Sequence, residues 1–240
     1  MSRNLTKDKV KENSSRALMS LNTLLDKYIE QDELKKADLI SYWLKDYANF
    51  LDNESDFNPR ALRRYKRGEI IKVHLGYNIG SEEGGLHYCV ILDNKNLLSS
   101  GIITVVPLTS AKPEKDLNNL RYGEVYLGSD LKNKLEEKLT NISSDFYTNL
   151  EKLSLEGSGD NLTKAKEILD TYTMLEKIKS ELLHMNNGSI ALVSQITTIS
   201  KLRIYTPKTN YDALANIKLS NKSLDEIDKK LKELYTYQKK

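Results

Sequence analysis

Gly80, Ser81, Glu82, Glu83, Gly84 and Gly85 are followed two positions later by His87. Imidazole is the side chain whose ordinary pKa lies nearest neutrality, so it can give or take a proton at physiological pH. Glycines adopt backbone angles closed to other residues and let a ligand approach the main chain. A histidine entering a strand just after such a loop is a proton-transfer candidate beside a polar rim. The plainer reading is a strand histidine satisfied by a backbone carbonyl. Backbone N–H groups of a glycine-rich loop can also bind phosphate. Glu82 and Glu83 repel a polyanion, which leaves them to meet base edges or to pair with a basic residue. His74 and His184 have no partner at a readable spacing, and no His, Asp and Glu cluster has metal-ligand spacing, so neither metal nor cofactor is expected.

The elements that must position these residues follow from periodicity. Residues 1–15 are polar and are expected to fray. Leu18, Leu21, Leu24, Leu25 and Tyr28, then Ala37, Ile40, Trp43, Leu44, Tyr47 and Leu51, recur at helical spacing and predict a helical hairpin. The turn-rich stretch from Asp52 to Pro59 ends it. Strands are expected over 69–75, 87–93, 102–108 and 124–127, with Pro107 marking an edge or a bulge in the third. Two amphipathic helices, 131–155 and 162–185, flank the flexible break EGSGDN. Strands resume at 189–195 after Asn-Asn-Gly, with a short one near 202–205. A last helix covers 223–235, with Ser223 as its N-cap.

Composition narrows the class. The 240 residues are 39% hydrophobic and 30% charged, with 37 basic against 34 acidic side chains. A net charge of +3 does not announce a nucleic-acid binder, so any positive field must be local. The single cysteine, Cys89, rules out an internal disulfide and paired-cysteine zinc sites. The polar N-terminus lacks the apolar core of a signal peptide, and no run reaches the ~20 apolar residues of a membrane helix. A cytoplasmic protein with no membrane association is the expectation.

Three motifs carry a resemblance. RGEIIKV (Arg67–Val73), GSEEGGLHYCVIL (Gly80–Leu92) and SIALVSQITTISKLRI (Ser189–Ile204), with VVPLTS (Val105–Ser110) between, resemble the MazF/PemK family, the endoribonuclease toxins of toxin–antitoxin pairs. The resemblance implies an α+β fold: a small, twisted antiparallel β-barrel. To it this chain adds an N-terminal helical extension and linker (1–66), a helical insertion at about 129–187 within the 67–240 domain, and a C-terminal helix. It also implies a likeness in activity: metal-independent cleavage of single-stranded RNA, the ribose 2′-hydroxyl attacking phosphorus to leave 2′,3′-cyclic phosphate and 5′-hydroxyl ends. A homodimer and a cognate antitoxin are the implied partners. Many family members carry arginine where His87 stands, and Thr197 replaces the arginine of the family's late strand. Arginine mainly stabilises phosphate charge, whereas histidine can also shuttle protons. On this resemblance His87 and Thr109 are the catalytic candidates, Thr109 bonding a phosphate oxygen. Gly80, Ser81, Glu82, Gln195, Lys201 and Arg203 are the RNA-binding candidates. The alternative is a non-catalytic RNA- or protein-binding module on the same barrel.

Overall fold

Helical periodicity in the first fifty positions becomes two helices in the computed structural model, which describes residues 5–155, 161–185 and 188–237. Helix α1 (Lys7–Glu30) begins where Thr6 caps it, the hydroxyl accepting from the Lys9 N–H at 3.3 Å. That cap satisfies a backbone group left over at the helix start, and it is why the helix opens at Lys7 rather than near Ser15. Helix α2 (Leu34–Asp52) follows a short turn in which Asp32 takes a left-handed conformation (φ 58°). The Lys36 ammonium lies 4.0 Å from the centre of the Tyr28 ring, tying the two helices together. Trp43 stacks against Tyr47 and Phe50 along α2. These helices form one compact unit, Met1–Ser55; residues Asp56–Lys240 form another.

Among its described residues the second unit has seven strands: β1 (Ile70–His74), β2 (Leu86–Ile91), β3 (Ile102–Ser110), β4 (Glu124–Tyr126), β5 (Ser189–Leu192), β6 (Thr197–Ser200) and β7 (Ile204–Thr206). They pair antiparallel in the order β4-β5-β3-β2-β1-β7, with β6 also on β3. The sheet is antiparallel, as the resemblance implies, and among the described residues no pairing joins β4 to β7, so it is not closed into a full barrel. Strand β3 is internal, which excludes the edge position offered for Pro107. Residues 102–105 pair with β6 and residues 108–110 with β5. Pro107, which has no N–H to donate, lies in the gap between those two pairings. The late strand expected over 189–195 stops at Leu192, because Val193–Gln195 forms a tight turn, and a strand not expected from the sequence, β6, follows it.

Side-chain alternation gives the sheet two apolar faces. Ile71, Val73, Cys89, Ile91 and Val105 pack with Tyr65 on one, and the Tyr65 hydroxyl donates to the Pro207 carbonyl at 2.8 Å. Ile70, Val90, Val106 and Leu108 face the other. That second face is covered by α3 (Asp130–Leu155), α4 (Asn161–Leu183) and α5 (Asn221–Tyr235), through Leu135, Ile178 and Ile227, each fully buried. Helix α5 is capped by Ser220, three residues before the expected Ser223. The break EGSGDN and the turn at 186–188 fall largely outside the described residues. The last turn of α4 reaches β1 and β2: Glu181 accepts from the Lys72 ammonium at 3.2 Å and from the Tyr88 hydroxyl. Burial, then the hydrogen bond to Glu181, hold the Tyr88 hydroxyl well above the usual tyrosine range.

Candidate active site

The connection between β1 and β2 is closed at its neck by backbone bonds. Gly85 N–H donates to the Gly76 carbonyl at 2.6 Å, and Leu75 N–H donates to the Gly85 carbonyl at 2.7 Å. The neck needs its glycines: Gly85 has φ +85°, and a Cβ on Gly84 would lie 2.7 Å from the Gly76 carbonyl oxygen. Two side chains fix the interior. The Asn78 amide donates to the Glu83 carbonyl at 2.7 Å. Gln195, from the turn after β5, donates to the Ser81 carbonyl at 3.0 Å and accepts from the Glu83 N–H at 3.2 Å. The backbone of Glu83 is therefore held on both sides, while Gly80, Ser81 and Glu82 stand exposed at the tip. The Glu82 carboxylate turns back to accept from the Ile79 N–H at 3.3 Å.

His87 is the second residue of β2, opposite Val73 of β1. Its Nδ1 lies 3.2 Å from the Leu108 carbonyl oxygen. A carbonyl only accepts, so in this bond Nδ1 carries the hydrogen and Nε2 is the nitrogen left to react. Nε2 lies 3.0 Å from Glu83 Oε1, both side chains about a quarter exposed. The loop thus delivers a carboxylate to the reactive nitrogen of the strand histidine. The spacing alone did not single out Glu83; its two possible uses, against bases or beside a basic group, had equal standing until the loop was folded.

The other candidates separate by position. Thr109 is one residue beyond the carbonyl that His87 binds, and pairs with Ile190 of β5. It lines a small cavity of about 40 Å³ with Tyr88, Ser110, Lys132 and His184, and His87 is not part of that lining. Glu82, Glu83, Gln195 and Arg203 converge on a separate, polar cavity of about 350 Å³. Arg203 is oriented there by its Nε, which donates to the His74 carbonyl at 2.8 Å. Lys201 is elsewhere. It is 2% exposed and its ammonium donates to the Leu97 carbonyl at 3.0 Å, a placement that serves the fold and keeps the charge from a surface ligand. Gln195 spends both ends of its amide on the loop backbone, so it reads as a clasp on the loop rather than as a free base-recognising group. His184, just past the end of α4, donates through Nδ1 to the Ser180 carbonyl 2.7 Å away.

These positions can be set against known proteins. A family model described as PemK-like, MazF-like toxin of type II toxin-antitoxin system matches residues 66–152. The match takes in β1 to β4, the glycine-rich loop, His87, Thr109 and α3 as far as residue 152; the late motif at 189–204 lies outside it. A comparison with curated proteins finds no match. Across residues 66–152 this chain is therefore similar to the PemK-like, MazF-like toxins of type II toxin–antitoxin systems.

Proposed function

We propose that the protein is the toxin of a toxin–antitoxin pair and acts as an endoribonuclease on single-stranded RNA, without a metal ion. The observation that carries the reading is His87: a half-buried imidazole at the head of β2, inside the family-matched segment, anchored through Nδ1 and presenting Nε2 beside a glycine-rich loop. In this reading the ribose 2′-hydroxyl attacks the adjacent phosphorus. The O2′–P bond forms, the P–O5′ bond breaks, the 2′-hydroxyl loses its proton and the departing O5′ gains one. His87 Nε2 moves one of those protons. The Thr109 hydroxyl donates to a phosphate oxygen as charge builds there. Exposed N–H groups of Gly80 and Ser81, with Glu82 and Arg203 on the adjoining cavity, hold the strand. An antitoxin is the partner that the family implies, and a homodimer its working form.

The test is direct. Wild type incubated with single-stranded RNA in EDTA should release fragments ending in 2′,3′-cyclic phosphate and beginning with 5′-hydroxyl, and His87→Ala should not. Cleavage by His87→Ala at the wild-type rate would remove His87 from the chemistry. RNA retained without product over long incubation would favour a binding module instead.

A further inference from the structure

Transfer of a phosphoryl group from O5′ to O2′ needs two protonic tasks done together: one group takes the 2′-hydroxyl proton and another supplies a proton to O5′. A single imidazole nitrogen cannot hold both roles in one step. Resting on the ribonuclease reading, we propose that Glu83 is the second catalytic residue, the general base, and that His87 is the general acid.

Placement supports this division. Glu83 Oε1 and His87 Nε2 are 3.0 Å apart. The ring is bonded at Nδ1 to an oxygen that only accepts, and Nε2 faces a carboxylate that also accepts, an arrangement complete when both nitrogens carry hydrogen. Such a ring has a proton to give at Nε2, and the neighbouring carboxylate has none and can take one. Glu83 is also held as a catalytic group must be. Its N–H donates to Gln195 and its carbonyl accepts from Asn78, so the backbone is fixed while the partly exposed side chain is free to swing aside for substrate. In the step, Glu83 takes the proton of the 2′-hydroxyl as O2′–P forms, and His87 gives its Nε2 proton to O5′ as P–O5′ breaks. Afterwards the protonated carboxyl and the neutral ring are again in contact, and the proton passes from Oε1 to Nε2 to restore the starting pair. The negative charge of the loop then has a use next to a polyanion: it abstracts a proton rather than binding phosphate.

The experiment separates base from acid. An RNA oligonucleotide containing the mapped cut site is prepared twice, once with the ordinary O5′ linkage and once with sulfur replacing that bridging oxygen. A thiolate departs without needing a proton. Glu83→Gln, nearly isosteric, should cut both substrates slower than wild type by about 10²-fold or more, with KM little changed. His87→Ala should fail on the oxygen substrate and regain most of its rate on the sulfur one. Glu83→Asp, which keeps the carboxylate on a shorter arm, should be faster than Glu83→Gln on both, and thermal melts establish that each variant is folded. Wild-type rates for Glu83→Gln, or its rescue by the sulfur substrate, would overturn the assignment and leave the ribonuclease reading standing. A wild type that cuts neither substrate would sink the ribonuclease reading itself.

Discussion

Thr109 shows how a single hydroxyl can be examined apart from the fold. It sits half-buried at the end of β3, one residue from the carbonyl that anchors His87. Thr109→Val keeps the branched shape and removes only the donor. Loss of one hydrogen bond to developing phosphate charge costs about 10²-fold in rate, so single-turnover cleavage should fall by that order while the melting temperature stays put. His87 stood out as a candidate in the sequence because a histidine follows a glycine-rich loop, whereas Thr109 was a candidate only through the family resemblance. Glu83 did not stand out, since an acidic pair on a loop has no fixed direction until the neck closes. Lys201 misled for the opposite reason: a lysine beside an arginine reads as surface charge, but the tight turn after β6 points its ammonium at Leu97.

At the scale of elements, the loop depends on a residue far from it in the chain. Gln195→Ala removes two hydrogen bonds of roughly 1 kcal/mol each. The Glu83 amide should then exchange hydrogen with solvent at least tenfold faster, while amides in β2 and β3 keep their protection; unchanged exchange at Glu83 would show that Asn78 alone secures the loop. The strands of the first half were readable from alternation and β-branched content. What periodicity could not reveal was the sharing of β3 between β6 and β5, or the turn that ends β5 at Leu192. Both are pairing decisions made in three dimensions, and Pro107 signalled only that a ladder bond was missing. The helical insertion was visible in its spacing. Its attachment through Glu181 to Lys72 and Tyr88 was not, because those three side chains meet only after α4 lies against the sheet.

Across the whole second unit, Lys138 couples α3 to the loop before α5. Its ammonium donates to the carbonyls of Asp212, Ala213 and Ala215 at 3.3, 2.9 and 2.8 Å. Burial, and then the nearby Arg63 charge, pull it down to about 8. An unfolded chain keeps that proton up to about 10.4. Above pH 8 the unfolded state therefore binds more protons than the folded one, and stability rises with pH until lysine titrates in the unfolded chain. Tyr65 and Tyr88, whose burial raises them, oppose the trend above pH ~10. Urea unfolding between pH 7.5 and 9.5 should show a rising Lys138-dependent component of stability that Lys138→Met lacks; parallel curves for the two proteins would exclude it. The sharing of β3 and the reach of Gln195 have one more consequence, for the order in which the protein is made. A ribosome that has released only the first half of the chain has exposed the loop, β2 and β3, but not the strands and amide that complete them. The loop that bears Glu83 stays without its Gln195 clasp until the ribosome has passed both inserted helices, so the candidate site around His87 is completed only late in synthesis.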